Sequence, residues 1–546
     1  MKHLKKFLSA ATYQEYIMGG GYDVPNVSYI EKTGDVYFIP NTYENMYLTT
    51  EATTNGTITF TIGKSVSTDS LSSVAYSVDN GETWTTTQNA NSTQKTVIVN
   101  VSKGDKVLWK GTGTRTGTNN ASTSAPYISY FGGTAFFKTY GNAMSLLNGD
   151  NFQSVTTVNN YHFKRLFCNS KCVNAKHLIL PATTLARYCY YYMFDNCTSL
   201  IKAPALPATA LAGGCYDHMF YGCTSLINAP ALPATALAGN CYYYMFCSCT
   251  SLVSAPALPA TTLASSCYYY MFDNCTSLIN APALPATTLV SNCYNHMFYN
   301  CTSLINAPAL PATTLVVSCY DCMFYGCTSL VSAPALPATT LVDYCYSQMF
   351  RDCTNLVSAP ALPATTLARY CYRLMFHNCT SLINAPALPA TTLVTDCYKE
   401  MFRGCRNLQR IECMATNAKS DFTESWVYGV AETGVFVGNA SSTWVSGQNG
   451  VPNGWSTNVT IIQTPESNGT LGIYIDDFPE GIYESDGYDN IYDWLSDEYG
   501  GDYNDYFELC GDQIEYNGVT YYAWIFGGGG KPHSVQVYFN RNKRLH

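Results

Sequence analysis

Residues 279–304 read INAPALPATTLVSNCYNHMFYNCTSL, and nearly the same 26 letters return again and again. The pair Met-Phe marks the register: Phe194, Phe220, Phe246, Phe272, Phe298, Phe324, Phe350, Phe376 and Phe402 stand 26 residues apart, and a degenerate copy, RLFCNSKC, precedes them around Phe167. A unit of this length is too short to bury its own apolar face, so the copies must stack and share one core. No other feature of the chain restricts its fold so strongly.

Within one copy the letters sort by spacing. Ala286-Thr287-Thr288-Leu289 offers a threonine N-cap after Pro285, and Leu289, Cys293 and Met297 follow at i, i+4 and i+8, with Phe298 alongside. That pattern predicts a short helix with one buried face, leaving Ser291, Asn292, Asn295 and His296 toward solvent. Ile305-Asn306-Ala307-Pro308-Ala309-Leu310-Pro311 carries two prolines and predicts a short strand. One strand and one helix per repeat make a right-handed parallel α/β coil. Strands pair at ~4.8 Å while packed helices need ~10 Å, so the stack is expected to curve with its strands inside.

The pattern Met-Phe-x-x-Cys-x-x-Leu-x-x-Ala-x-Ala-Leu-Pro resembles the leucine-rich repeats of the BspA-like class over about residues 165 to 412. The resemblance implies a leucine-rich-repeat solenoid. One departure concerns the strand: positions held by Ile or Val in that class are alanine here, as at Ala307 and Ala309.

Eighteen of the 24 cysteines form two ladders, Cys189 to Cys397 and Cys197 to Cys405, each with a step of 26. Helices ~10 Å apart would hold the first ladder beyond the ~7 Å Cα limit for a bridge. The second lies nearer the strands, where a bridge is harder to exclude. No pair of CxxC motifs has zinc-ribbon spacing. Both ladders read as small buried hydrophobes.

The flanks divide the chain. Residues 46–138 alternate β-branched and polar letters, as in TITFTI and TVIVNV, and predict an Ig-like β-sandwich. Inside it Ser77, Asp79, Gly81, Thr83 and Trp84 form SVDNGETW, which resembles the Asp-box of sialidases and many bacterial β-domains. There the motif is a hairpin turn without catalytic duty. Residues 139–175 read as an N-terminal cap with the degenerate repeat, 176–412 as the repeats proper, and 413–458 as a C-terminal cap over an otherwise open edge. Residues 459–546 form a small α+β domain, with a helix through Ile491, Trp494 and Leu495 and two strands around a glycine loop. Residues 1–45, including PNVSYIEKTGDVYFIPN, resemble the leader of structural proteins of phages that infect gut Bacteroidales. The resemblance implies an attachment segment; a linker or first strand is the plainer alternative.

Composition narrows the function. Only 12% of residues are charged, against a usual figure of about 25%. The net charge is −9, and 45 tyrosines are present. An acidic chain without a basic stripe is no nucleic-acid binder. The N-terminal apolar stretch, Phe7 to Ala11, is too short for a secretory signal, and no run approaches the ~18 apolar residues of a membrane span. The chain therefore reads as made soluble in a cytoplasm, without membrane insertion.

Catalytic and cofactor motifs are not recognisable. Gly527 to Lys531 miss the phosphate-loop pattern at Ile525 and Pro532. Asp502, Asn504, Asp505 and Glu508 miss the calcium-loop spacing, and no metal or cofactor is expected. His218 and His296 share one variable repeat position, as a solvent face would. Tyr191, Tyr192, Tyr243, Tyr244, Tyr269 and Tyr270 are the candidate ligand contacts, because tyrosine binds sugars and proteins with little entropy loss; their alternative role is to shield the seams between repeats.

The expected protein is a non-enzymatic modular adhesin: a virion component, tail or fibre, assembled in a host cytoplasm. It would bind a bacterial surface glycan or protein and meet other virion proteins through its N-terminus, with homo-oligomers allowed. The alternatives are a BspA-like adhesin at the bacterial cell surface, or a repeat stalk carrying a small glycan-active C-terminal domain.

Overall fold

The structure, a computed structural model, describes residues 27–32, 35–40, 43–63, 73–88, 94–111, 129–439, 441–442, 444–460, 507–516, 519–526 and 536–540. Near the N-terminus Val27–Lys32 (β1) and Asp35–Pro40 (β2) pair antiparallel. Residues 1–26, 33–34 and 41–42 of the leader, the proposed helix around Trp494, the acidic group from Asp502 to Asp505 and the glycine loop at 527–531 lie outside the described residues.

A two-sheet β unit follows. Its strands are Leu48–Ala52 (β3), Gly56–Ile62 (β4), Ser73–Ser77 (β5), Thr85–Gln88 (β6), Lys95–Val101 (β7), Lys106–Gly111 (β8), Tyr130–Gly133 (β9), Phe137–Asn142 (β10) and Cys172–Ile179 (β11). One sheet has the order β11-β10-β3-β8-β5-β6, the other β7-β4-β9. Alternation decides the inner faces: Ile58, Phe60 and Ile62 of β4 and Val97, Val99 and Val101 of β7 are buried, as period-two patterning requires. Phe60 and Phe131 from the smaller sheet pack on Trp109 of the larger, at 5.8 and 5.3 Å between ring centroids. A one-turn helix, Ser145–Asn148 (α1), lies beside β8.

The Asp-box forms the hairpin between β5 and β6. Ser77 Oγ accepts from the Gly81 amide (2.8 Å), Asp79 Oδ1 accepts from the Thr83 amide (2.9 Å), and Trp84 Nε1 donates to the Gly81 carbonyl (3.1 Å). Hydrogen bonds from Ser77 and Thr83 hold the Asp79 carboxyl down at about 2.

The β unit runs directly into the repeats. β11 pairs parallel with β10, and Asn174 in β11 bridges Lys202, which bridges Asn228, and so on by steps of 26 to Ser358. The expected domain breaks at 138 and 175 both fall inside strands of this continuous sheet. On this side of each coil the expected strand is reduced to a single bridging residue. Pro308 in the following segment has no amide to extend the pairing. Leu304, Leu310 and Ala312 fill the core here, so the alanines at 307 and 309 do not empty it.

The other side of the coil overturns the helix expectation. Among the described residues the repeats contain no helix at all. Residues 187–197 are instead a ribbon of consecutive tight turns. The amides of Tyr190, Tyr192, Phe194 and Asn196 donate to carbonyls of Cys215, Asp217, Met219 and Tyr221 in the next coil, at 2.7–3.0 Å. The intervening amides of Tyr191, Met193, Asp195 and Cys197 donate back three residues along their own coil. Every fourth residue is left-handed: Tyr188, Tyr192 and Asn196 have φ of 56°, 58° and 55°. The third of these files runs Asn196, Gly222, Ser248, Asn274, Asn300, Gly326, Asp352, Asn378, Gly404, largely the residue types that adopt this conformation most cheaply. Burial also repeats by four, so Leu289, Cys293, Met297 and Phe298 are buried as expected, for a different backbone reason. Asn295, expected toward solvent, is buried, and His296 is half-buried.

Two consequences follow for the stack. The buried Phe194-to-Phe402 file stacks at 5.5–5.8 Å and the Tyr190-to-Tyr398 file at 5.6–6.1 Å, so the turn side is spaced nearly as closely as the bridged side. The wedge that helices ~10 Å apart would have imposed is absent. The distance argument against bridging the first cysteine ladder falls with it. The 23 cysteines from Cys168 to Cys413 are nonetheless buried, free thiols. In the second ladder each thiol donates to the phenylalanine carbonyl of the coil before, as Cys223 does to Phe194 and Cys301 to Phe272, both at 3.1 Å.

At the far end Arg410–Cys413 (β12), Val435–Asn439 (β13) and Ser456–Thr460 (β14) form a parallel sheet in that order. Trp426 is fully buried, stacks on Tyr398 (6.1 Å) and donates its Nε1 to the Gly450 carbonyl (2.8 Å). The inner ring file runs on through it to Trp444, which stacks on it at 5.4 Å. Phe507–Tyr516 (β15), Val519–Phe526 (β16) and Gln536–Asn540 (β17) form a separate antiparallel sheet. No helix among the described residues is long and apolar enough to cross a membrane.

The turn ribbon gives two expected outcomes. Asn300→Val places a β-branched residue at φ 54° and should cost about 1–2 kcal/mol in chemical denaturation, whereas Asn300→Gly should be near neutral. Carboxyl NMR should find Asp79 titrating near pH 2, with the turn bonds lost only below that pH; a midpoint near 4 would contradict the turn geometry.

Candidate functional site

The ribbons at Tyr191–Tyr192, Tyr243–Tyr244 and Tyr269–Tyr270 each leave a pair of half-buried residues between buried pairs, while in the coils of His218 and His296 the first member, Asp217 or Asn295, is itself buried. Tyr192, His218, Tyr244, Tyr270 and His296 stack in one file, with centroid separations of 4.3, 4.8, 4.5 and 4.2 Å. Beside it Tyr243 and Tyr269 stack at 5.1 Å. Tyr191 meets Tyr192 edge-on at 4.3 Å, and the same contact recurs between Tyr243 and Tyr244 and between Tyr269 and Tyr270. The Arg165 guanidinium covers the open face of Tyr192 at 4.8 Å.

The structure thus brings all six candidate tyrosines onto one strip. It also changes what they offer. Tyr192, Tyr244 and Tyr270 have both ring faces covered by neighbouring rings or the Arg165 guanidinium, so those three offer a sugar no free face to lie on. Burial raises the hydroxyl pKa values of Tyr192, Tyr244 and Tyr270, which keeps them protonated donors.

His218 and His296 complete the file, contrary to their reading as solvent-facing residues. Burial lowers His296 to about 4, so the ring stacks as a neutral imidazole. His218 Nδ1 pairs with the carboxyl of Asp217, whose pKa burial raises. Carboxyls also lie just beneath the strip: burial pushes Asp273 and Asp321 up to about 6 despite hydrogen bonds from the Cys247 and Cys322 thiols. Residue type hid these histidines and acids from a reading of the sequence. Alignment of the copies letter under letter exposes them, because His218 and His296 occupy the same repeat position as Tyr192, Tyr244 and Tyr270.

Past Tyr325 the strip changes character. Arg351, Asp352, His377, Glu400 and Arg403 take over, with Arg351–Asp352 at 3.5 Å and Arg403–Glu400 at 3.2 Å. Burial raises the Asp352 pKa, but hydrogen bonds from His377, Asn378 and Tyr325 and the Arg351 charge outweigh it and hold the carboxyl at about 2. One face therefore has an aromatic half and an ion-paired half.

Stacked short coils with one shared core and a ring file on the surface define a repeat protein with strands and very few helices. BspA type leucine rich repeat regions match in six copies, over 133–278, 216–357 and 292–422. Those spans cover just over half of the sequence, and the chain belongs to the BspA-type leucine-rich-repeat family. No curated protein matches. Among solved structures a TLR13–ssRNA13 complex matches at 12% identity with a TM-score of 0.20, covering 48% of this chain. The alignment spans 30% of that structure's chain.

The half-buried acids predict a pH response. In the unfolded chain Asp273 and Asp321 lose their protons near pH 4, while in the folded chain they keep them to about 6. Their contribution is thus favourable below pH ~4 and is lost as pH rises from ~4 to ~6. Asp273→Asn and Asp321→Asn should each recover about 1–2 kcal/mol at pH 7 and flatten that slope in thermal melts.

Proposed function

We propose that the chain is a non-enzymatic adhesion protein whose solenoid of repeats presents the aromatic strip to a bacterial surface glycan or protein. The observation that carries this reading is the unbroken file from Tyr192 to His296, five half-buried rings stacked in successive coils. Hydroxyl contacts repeated every coil are weak singly and add by multivalency. Family membership supports the reading, since proteins with these repeats are often surface adhesins. The β unit serves as an Ig-like spacer in this proposal.

The bacterial cell surface is one location for such a protein. The likeness of residues 1–45 to phage structural leaders supports a second, on a virion, where the same strip would meet the host from outside. Both place the strip against a cell envelope.

Because the ring faces are taken, the test can separate binding from folding. Tyr243, Tyr244, Tyr269 and Tyr270 changed together to Phe keep the stack but lose its hydroxyl edge. Adsorption of the labelled full chain to bacterial cells should fall about tenfold, with the melting temperature unchanged. Equal adsorption by the variant would remove the strip from the account.

A further inference from the structure

The last coil departs from the repeat, and the departures meet in one place. In the left-handed file that ends at Gly404, every earlier glycine lies between residues with side chains: Gly222 between Asn196 and Ser248, Gly326 between Asn300 and Asp352. Gly404 (φ 78°) is followed in the next coil by Gly429 (φ 75°), and a Cβ on Gly429 would lie 3.8 Å from the Gly404 Cα. A Cβ on Gly404 would collide with the Asn378 amide, as at the earlier glycines, but the room a side chain would take at Gly429 is left open. A cleft of about 340 Å³ results, walled by His377, Arg403, Arg406 and Tyr428.

Arg406 is the second departure. Its position is threonine in the eight preceding copies, from Thr198 to Thr380, where several of the hydroxyls bond the carbonyl one coil back. Here that tie is exchanged for an exposed guanidinium at the cleft wall. Arg403 is paired with Glu400, and His377 lies 3.9 Å from both Asp352 and Glu400. Among the described residues no carboxylate pairs with Arg406.

Tyr428 is the third. It is 54% exposed, far more open than the tyrosines of the strip. Arg403 lies over its ring at 5.1 Å, and a smaller cleft of about 200 Å³, lined by Val430, Glu432 and Pro452, opens beside it. It stands as a wall between two hollows.

We infer that this cleft binds an acidic sugar, with its anionic group on Arg406 and its ring against Tyr428. An unpaired guanidinium offers forked donors to a carboxylate, sulfate or phosphate, and a tyrosine wall supplies an apolar surface for the sugar's C–H groups. Assignment of a sugar, in place of a free anion, rests on the adhesion reading. The chain's net negative charge does not oppose it, because charges beyond a Debye length of about 8 Å are screened.

Titration of the full chain by NMR with glucuronate, glucose 6-phosphate, glucose and inorganic phosphate tests the assignment. Both acidic sugars should bind about tenfold more tightly than glucose, and glucose 6-phosphate more tightly than inorganic phosphate; the stronger acidic sugar identifies the anion. Arg406→Thr restores the letter of the other copies, so the fold should persist while acidic-sugar binding falls about tenfold. Tyr428→Ala should weaken the sugars and leave inorganic phosphate unchanged. Glucose binding equal to glucuronate, inorganic phosphate equal to glucose 6-phosphate, or an Arg406→Thr variant that binds as before overturns the inference. Cell adsorption separates the two proposals: acidic sugars bound without adsorption sink only the adhesion reading, and adsorption without sugar binding sinks only this one.

Discussion

Every second amide of the turn ribbon reaches across to a carbonyl of the next coil, and the rest of the repeat region depends on that. In an α-helix all amides beyond the first turn are satisfied within the segment, so neighbours touch only through side chains. Here half of them are satisfied only by a neighbour. A single coil would leave a row of unpaired polar groups against a buried core, at a cost of about 1–3 kcal/mol for each. Stacking is thus demanded by the backbone as well as by the apolar face.

That bonding sets the side chains. Coils held at hydrogen-bond spacing bring identical letters within ring-stacking distance, so the buried Phe and Tyr files and the half-buried surface file follow from one repeat distance. The second-ladder cysteines fit the same scheme. A thiol is small enough for the tight interior and still donates to a phenylalanine carbonyl, which alanine or valine cannot do. Burial pushes these thiols up, Cys197 and Cys405 to about 12, so they stay protonated donors and poor nucleophiles.

Much of this was legible beforehand, and the failures are instructive. The 26-residue step required stacking, and Ser77, Asp79 and Trp84 announced their turn. The helix was misread because Leu289, Cys293 and Met297 at steps of four fit a helical face as well as a turn ribbon. The discriminating letters were Asn196, Ser248, Asp352 and Gly404, poor in helices and tolerant of left-handed backbone, whose recurrence just before each cysteine marked the turns. The candidate tyrosines were identifiable by type, but the occupation of their faces depends on coil spacing, which the misread helix had set at nearly twice its value. His218 and His296 belonged to the same file, and their shared repeat position read as a solvent face for lack of a ring-stacking distance to connect them.

The bridges, the amide bonds between coils and the ring files all join residues about one repeat apart. Loss or gain of a whole copy would therefore leave every remaining coil with an equivalent neighbour, while a change of one or two letters would throw each file out of step. Such an array can lengthen or shorten by unequal recombination between its own near-identical segments, and its reach is then adjustable in units of one coil without redesign of its interior.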